Sequence, residues 1–224
     1  MIETMDYFKT RENLSSIVVN YIKESILSGY YKAGDHILET EVALKLNISR
    51  APVREAIREL ESDGIVITKP RKGTFVTAYS IDDIKEVFDI RLLLENNIYK
   101  ILIYEDKLKE KDFMHLEHLV KDMESIATSG MSEEEKTLQV NIKDMAFHKF
   151  IWNKSGSLRR VKILEGIFFQ LRMAMLYDMD ETGNLIKSVT DHYEIIKALR
   201  SKDIDACKKA LRRHIITYEN EDLK

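Results

Sequence analysis

The hydrophobic residues of this chain recur mainly at helical spacing, with one short region as the exception. One apolar face near the start is formed by Ile17, Val18, Tyr21, Ile22 and Ile26. The segments IVITK and TFVTA instead alternate between apolar and polar residues, which predicts two short strands. After residue 79 the helical spacing returns and continues almost to the C-terminus. The pattern therefore predicts a mostly α-helical protein with one β-hairpin.

The first third of the chain predicts a helix-turn-helix followed by this hairpin. Helices are expected over residues 13–28 and 39–46, with a tight connection at residues 47–49. Ser49 is suited to cap a further helix from Arg50, and Pro52 is tolerated there because its missing N–H has no intrahelical partner in a first turn. The segment from Pro70 to Gly73 then turns between the strands. This order of elements is that of a winged helix-turn-helix, with three helices and a two-stranded wing.

The rest of the chain predicts an antiparallel helical bundle. Ser80 is suited to cap its first helix, because Asp83 follows in the first turn. About six helices are expected, over residues 81–105, 109–128, 132–155, 157–177, 184–200 and 203–219. The change of pattern predicts two domains, residues 1–78 and residues 79–224.

Composition narrows the class of protein. The 224 residues are 44% hydrophobic and 33% charged, which is typical of a folded globular protein. No stretch reaches the roughly 18 uncharged residues of a membrane span, and the N-terminus lacks the apolar region of a signal peptide. We therefore expect a cytoplasmic protein without a membrane partner. Cys207, the only cysteine, is expected to be a small buried residue rather than a nucleophile.

A cationic stripe runs along the predicted second helix of the helix-turn-helix. Arg50, Arg54 and Arg58 recur at every fourth position, on a different face from the apolar residues of that helix. Residues 45–72 carry seven basic and four acidic side chains, although the whole chain has a net charge of −3. Such a stripe is often only a solvated face, but guanidinium groups on this helix also suit guanine edges and phosphates. The position of the stripe favours DNA binding.

The same residues resemble the DNA-binding domain of GntR-family transcription regulators. The resemblance covers about residues 13–78 and rests on the run SRAPVREAIRELESDG and the turn PRKG. It implies that Arg50 and Arg54 contact operator double-stranded DNA. Further contacts are implied for Ser49, Arg58, Arg71, Lys72 and Gly73. One departure is Thr40, since some members carry an arginine at this position and use it for a base contact.

Four potential metal ligands occur in the C-terminal part of the chain. Asp144 and His148 are four residues apart and share a helical face, whereas His192 and His214 belong to later predicted helices. Three imidazoles and a carboxylate that converge in a bundle would bind a divalent transition metal such as zinc, nickel or manganese. Spacing alone leaves open whether these four residues meet in the fold. The other three histidines of the chain form no such pattern, so a histidine here is not by itself a sign of a metal site.

The sequence around these ligands resembles the FCD domain of the FadR-type branch of the same family. The resemblance spans roughly residues 81–219 and rests on the segments RLLLE, DMAFH, DHYEIIKAL and ALRRHI. It implies that Asp144, His148, His192 and His214 bind the metal, with zinc as the first candidate and nickel or manganese as alternatives.

The resemblance also implies an effector cavity near the metal. Arg91, or its neighbour Glu95, would face this cavity, where a guanidinium group can pair with a carboxylate. The alternative is that Arg91 forms a salt bridge within the domain. Ser157 stands where the family often has asparagine, so polar contacts on that side are expected to differ.

These observations predict a homodimeric transcription regulator, with repression as the expected outcome, and not an enzyme. A dimer is expected because one recognition helix buries little DNA and two-fold operators match two-fold proteins. A small carboxylate effector at the metal and Arg91 would bias the relative orientation of the DNA-binding domains. Three alternatives remain open: the metal itself is the signal, the metal is purely structural, or the domain is a metal-dependent hydrolase, although it lacks a signature such as HExxH.

Overall fold

The computed structural model of the protein describes residues 13–182 and 185–215. The chain forms two compact units that divide between Tyr79 and Ser80. Within the described ranges, none of the helices is long and apolar enough to cross a membrane.

The N-terminal unit contains three helices and a small sheet. In chain order these are α1 (Leu14–Leu27), β1 (His36–Ile37), α2 (Glu39–Leu46), α3 (Arg50–Ser62), β2 (Val66–Lys69) and β3 (Gly73–Val76). Helices α1 and α3 pack against each other. Their fully buried apolar side chains include Val18, Ile22, Val53, Ala56 and Leu60. The apolar faces read from the sequence thus form the core that positions α3.

A three-residue turn joins α2 to α3. Asn47 ends α2 with a left-handed backbone, at a φ of 52°, which asparagine adopts more readily than most residues. Ser49 then has extended backbone and occupies the predicted N-cap position of α3, although its side chain makes no capping hydrogen bond. The predicted helix-turn-helix is confirmed.

The sheet has three strands, whereas the sequence predicted two. The additional strand, β1, pairs antiparallel with β3 and gives the order β1-β3-β2. Its two residues are too few to show an alternating pattern, so the prediction missed it. Gly73 has a φ of +104°, and a Cβ there would lie 2.1 Å from Nε2 of His36. Both the backbone conformation and this close approach therefore require glycine.

The C-terminal unit is the predicted helical bundle. Its helices are α4 (Ile81–Tyr104), α5 (Glu110–Ala127), α6 (Glu133–Lys154), α7 (Leu158–Gly166), α8 (Phe168–Thr182), α9 (Leu185–Ser201) and α10 (Ile204–Ile215). Seven helices are described where six were expected, because the predicted helix 157–177 is two helices. The break follows Gly166, a residue that costs about 1 kcal/mol relative to alanine inside a helix. The prediction missed it because apolar residues keep helical spacing across the break.

The core of the bundle contains charged groups among its apolar side chains. Fully or nearly fully buried residues include Arg91, Glu95, Asp144, His148 and His192. Burying a charged group is costly unless it is paired or binds a metal. These residues come from α4, α6 and α9, so the centre of the bundle is where a functional site is expected.

Candidate metal centre and nucleic-acid interface

The four predicted metal ligands meet at the centre of the C-terminal unit. Helix α6 supplies Asp144 and His148, α9 supplies His192, and α10 supplies His214. One donor atom from each residue lies within 4.8 Å of the donor atoms of the other three. All four side chains are buried. The fold thus brings together residues that are as much as 70 positions apart in the sequence.

The distances within this cluster suit a single ion. The Nε2 atoms of His192, His214 and His148 lie 2.9, 3.4 and 3.9 Å from the carboxylate oxygens of Asp144. The Nε2 atoms of His148 and His214 are 3.1 Å apart. Ligand atoms that bind zinc at about 2.0–2.1 Å lie roughly 2.9–3.3 Å from one another in octahedral or tetrahedral geometry. The spacings of 2.9, 3.1 and 3.4 Å are close to these values, whereas the 3.9 Å between His148 and Asp144 is longer.

Unsatisfied acceptors in the cluster also fit a cation. Nδ1 of His192 lies 3.1 Å from the carbonyl oxygens of both Ser188 and Val189, so the proton belongs on Nδ1 and Nε2 keeps its lone pair. Nε2 lies 2.9 Å from Asp144 Oδ1, and neither atom has a hydrogen-bond partner among the described residues. Leaving buried acceptors unpaired costs about 1–3 kcal/mol each. A divalent transition metal between them would satisfy both.

The local electrostatics favour the protonation states that bind metal. Burial, reinforced by His192, lowers the pKa of His214 to about 3. Burial and then Arg91 lower the pKa of His148. Burial alone would raise the pKa of Asp144, but His192 and His148 outweigh it and hold this pKa well below its ordinary value. Near neutral pH the cluster therefore offers neutral imidazoles at His148 and His214 and an ionised carboxylate, as metal binding requires.

Glu95 and Arg91 lie directly beside the cluster. Arg91 donates from Nε to Glu95 Oε1 at 2.6 Å, so the salt bridge considered from the sequence is present. The other oxygen of Glu95 lies 3.0 Å from Nδ1 of His148. Burial opposes ionisation of Glu95, but His148 and Arg91 outweigh it and lower its pKa to about 2. An ionised carboxylate only accepts, so Nδ1 of His148 carries the proton and its Nε2 lone pair faces the cluster.

A cavity of about 20 Å³ adjoins the cluster. It is lined by residues that include Arg91, Asp144, Met175, Ser188 and His214. Nη2 of Arg91 is buried and has no hydrogen-bond partner within the part of the chain that the structure describes. A cavity of this size holds about one water-sized group. The free end of the guanidinium group and two of the predicted ligands thus border the same small space.

The predicted DNA-binding residues lie on the surface of the N-terminal unit. Arg50, Arg54 and Arg58 project from the exposed face of α3. Ser49, Arg71 and Lys72 are also exposed, whereas Gly73 is half-buried. Glu39, at the start of α2, pairs with two of these arginines. Its Oε2 lies 2.7 Å from Arg50 Nη2 and 2.9 Å from Arg54 Nε.

The contacts of Glu39 and Glu95 were not predicted from the sequence. Glu39 is 11 residues from Arg50, across the turn of the helix-turn-helix, so helical spacing gives no sign of the pair. Glu95, as a neighbour of Arg91, was predicted to face an effector. Its contact with His148, 53 residues away, arises from the packing of α4 against α6, so no local sequence pattern indicates it.

Two family models match this chain over nearly all of the described residues. Residues 14–76 match the bacterial regulatory proteins of the gntR family, and residues 86–217 match the FCD domain. The chain belongs to the GntR family. Its N-terminal unit is the GntR DNA-binding domain, and its C-terminal unit is an FCD domain of the kind expected for the FadR-type branch.

Several relatives resemble this GntR-family protein over most of their length. The HTH-type transcriptional regulator YdhC of Bacillus subtilis is 26% identical over 203 residues, which are 91% of this chain and 86% of YdhC. The gluconate operon transcriptional repressor of the same organism is 26% identical over 197 residues, or 81% of this chain and 74% of the repressor. These relatives are transcription regulators, and this GntR-family protein is likewise a regulator rather than an enzyme.

Solved structures of the GntR family share the fold. McbR/YncC of Escherichia coli aligns with a TM-score of 0.72 at 22% identity, and the match covers 91% of this chain and 93% of McbR. A GntR regulator from Rhodococcus sp. RHA1 aligns with the same TM-score, 0.72, at 20% identity, covering 90% of this chain and 93% of that protein. The predicted fold, a winged helix-turn-helix followed by a helical bundle, is confirmed.

Proposed function

We propose that this protein is a homodimeric repressor that binds operator DNA through α3 and the wing, and that a small carboxylate effector at a divalent-metal site in the FCD domain controls its DNA affinity. One observation supports the part of the proposal that family membership alone does not give, namely the metal and the effector. The unpartnered Nη2 of Arg91 borders the same cavity as Asp144 and His214, two members of a buried cluster with the donor set of a metal site.

The effector would bind where positive charge is concentrated. Asp144, His148, His192 and His214 would hold the metal, with zinc as the first candidate. A bound metal supplies a Lewis-acidic centre with coordination positions open to an anionic oxygen. Arg91 is positioned to donate from Nη2 to the same carboxylate, a pairing that its planar guanidinium group favours.

The size of the cavity indicates how effector binding would change the domain. About 20 Å³ admits one oxygen atom but not a whole organic acid. The rest of the effector would displace side chains that line this space, such as Met175 of α8 or Ser188 of α9. The effector would therefore favour a different packing of α8 and α9, and this difference is what can be transmitted to the DNA-binding domains of a dimer.

The DNA-binding part of the proposal rests on the exposed arginines of α3. Arg50 and Arg54 would contact base edges in the major groove, while Ser49, Arg58 and the wing at residues 71–73 contact the backbone. Two-fold operators require two such units, which supports a homodimer. The relative named as the gluconate operon transcriptional repressor supports repression as the outcome.

The small cavity favours one second candidate function. A regulator for which the metal itself is the signal needs no space for an organic ligand beside the cluster. In that case the occupancy of the cluster, rather than an effector, would set the DNA affinity.

Native mass spectrometry of protein purified without chelator tests the proposal. We expect a dimer with one divalent metal per chain, and we expect His148→Ala to lose the metal. His118→Ala is the matched control, because its side chain is 74% exposed and lies outside the cluster. A metal-free dimer, or equal metal content in both variants, would contradict the metal site. A monomer would contradict the proposed assembly.

A further inference from the structure

One acidic side chain contacts both arginines that are proposed to read the operator. Glu39 is the first residue of α2, and its Oε2 accepts from Arg50 and from Arg54 at the same time. The side chains of Arg50 and Arg54 are 51% and 55% exposed, so all three groups lie at the protein surface. A single carboxylate oxygen thus joins the start of α2 to two successive turns of α3.

The bonds to Glu39 leave the outer edges of both guanidinium groups available. Arg54 uses Nε, and among the described residues no acceptor contacts its Nη1 or Nη2. Arg50 uses only one of its Nη atoms. An arginine recognises guanine by donating two parallel N–H bonds to O6 and N7, so a guanidinium group whose plane is already fixed loses less side-chain freedom on binding.

We propose that Glu39 is a specificity-determining positioning residue of the DNA interface. It holds Arg50 and Arg54 in fixed orientations for base contacts, and its negative charge offsets theirs so that binding to non-operator DNA is weak. The inference rests on the proposed function, namely DNA binding through α3.

The two effects of Glu39 act on different classes of DNA. Binding to non-operator DNA depends almost entirely on phosphate neutralisation and counterion release, so a carboxylate beside two arginines weakens it. Binding to the operator also depends on base-edge contacts, which gain from fixed side chains. The hydrogen bond from Arg50 lowers the pKa of Glu39, so the carboxylate, which is ionised at neutral pH in any case, stays ionised to a lower pH than an isolated glutamate. The ratio of operator to non-operator affinity should therefore fall when Glu39 is changed.

Affinities for two DNA duplexes test this inference. The first duplex is one enriched by the parent protein from a randomised double-stranded library, and the second is a scrambled version of it. We expect Glu39→Gln to bind the scrambled duplex several-fold more tightly and the enriched duplex no more tightly. The ratio of the two affinities should fall by about tenfold, within the range expected for one impaired base contact. The salt dependence on scrambled DNA should become steeper by about one phosphate contact.

Two further variants distinguish the positioning effect of Glu39 from the effect of its negative charge. Glu41→Gln is the matched control, since Glu41 lies in the same first turn of α2 and has no side-chain hydrogen bond or ion pair among the described residues. It should change both affinities by the same factor and leave their ratio unaltered. Glu39→Asp keeps the charge but shortens the side chain, so it should weaken binding to the enriched duplex with little change on scrambled DNA.

Distinct results would overturn the inference. If Glu39→Gln strengthened binding to both duplexes equally, Glu39 would act only by repelling phosphates. If Glu39→Asp kept the parent ratio, positioning would be wrong. Thermal unfolding midpoints should stay close to that of the parent, because exposed ion pairs contribute little to stability, and a large decrease for Glu39→Gln would assign a structural role instead. Unchanged binding by Arg54→Ala would refute the proposed function itself, and this inference with it.

Discussion

Each oxygen of the Glu95 carboxylate serves a different donor. Oε1 accepts from Arg91 and Oε2 faces Nδ1 of His148, and both partners are fully buried. A glutamine has only one acceptor oxygen, so it can satisfy Arg91 or His148 but not both. If its NH₂ group faced His148, Nδ1 would have to accept, and the proton would move to Nε2. An imidazole protonated at Nε2 cannot donate that nitrogen to a metal.

Replacing Glu95 with glutamine is therefore expected to weaken metal binding without removing a ligand. Loss of such an outer contact typically costs about 10–100-fold in metal affinity. Zinc affinity can be measured by competition with a chromogenic chelator, with circular dichroism as a check on the fold. Tyr99→Phe is the control, since its hydroxyl makes only a 3.4 Å bond to the same carboxylate. A parent-like affinity for Glu95→Gln would contradict the orienting role.

At the scale of single residues, the sequence predicts which residues could bind a metal better than it predicts the contacts that orient those residues. The spacing of Asp144 and His148 places both on one face of α6, and the resemblance to the FCD domain adds His192 and His214. Glu95 could not be assigned its contact with His148, because that contact depends on how closely α4 approaches α6. Such distances are set by the packing of many side chains rather than by any local pattern.

One buried carboxylate links two helices of the bundle at their ends. Asp112, in the first turn of α5, accepts from the Lys109 amide at 3.0 Å, where the helix leaves backbone N–H groups without partners. It also lies 2.6 Å from Nζ of Lys154, the last residue of α6. Its side chain is 5% exposed. Asp112 therefore stabilises the start of α5 and holds it against the end of α6.

Asp112→Asn is expected to destabilise the protein in a pH-dependent way. Burial opposes ionisation of Asp112, but Lys154 and the Lys109 amide outweigh it and place its pKa below the ordinary value of 3.8. The stability that its charge contributes is thus present above about pH 4 and is lost as the pH falls through the lowered pKa. We expect Asn to lower the free energy of unfolding by about 1–2 kcal/mol at pH 7, and by less near pH 3.

Chemical denaturation of both proteins at the two pH values measures this difference. Glu110→Gln is the control, because Glu110 lies in the same first turn but is 71% exposed and, within the described ranges, pairs only with Arg200 at the surface. Its loss should cost less than about 1 kcal/mol. An equal effect of Asp112→Asn at both pH values would show that ionisation of Asp112 does not contribute.

Helices and strands were predictable from sequence where the residues that determine them are close together in the chain. Ser80 with Asp83 forms a capping box at the start of α4, as its sequence suggested, and Ser132 with Glu135 does the same for α6. Strand β1 was not predictable, because its two residues become a strand only by pairing with β3. The break after Gly166 was missed because one glycine is weak evidence against an apolar repeat that continues on both sides.

At the scale of the whole molecule, the central question is how the metal cluster affects DNA binding. The three hypotheses for the metal predict different responses to its removal. If the metal is structural, its binding free energy contributes to the stability of the fold. Chelation should then cause loss of helical content and a lower melting temperature. A signalling metal should change DNA affinity by itself. A metal that serves effector binding should matter for DNA affinity only when the effector is present.

We expect the third response from protein treated with a chelator and then dialysed. Circular dichroism should show retained helices, because each helix of the bundle also buries apolar residues independent of the cluster. Affinity for the enriched duplex should be similar with and without added zinc. A panel of small mono- and dicarboxylic acids should contain at least one that shifts this affinity by about 5–150-fold in the zinc-loaded protein, and this shift should disappear without zinc.

Variants of the cluster distinguish this coupling from an effect of chelator on the DNA or on the assay. His148→Ala should behave like chelated protein even when zinc is added, whereas His118→Ala should respond like the parent. Arg91→Lys keeps the positive charge but loses the planar fork, so it should retain zinc and lose most of the carboxylate response. If zinc alone shifted the DNA affinity and no acid did, the metal would be the signal. If Arg91→Lys kept the full response, Arg91 would not be the group that binds the carboxylate, although its Nη2 borders this cavity and has no hydrogen-bond partner among the described residues.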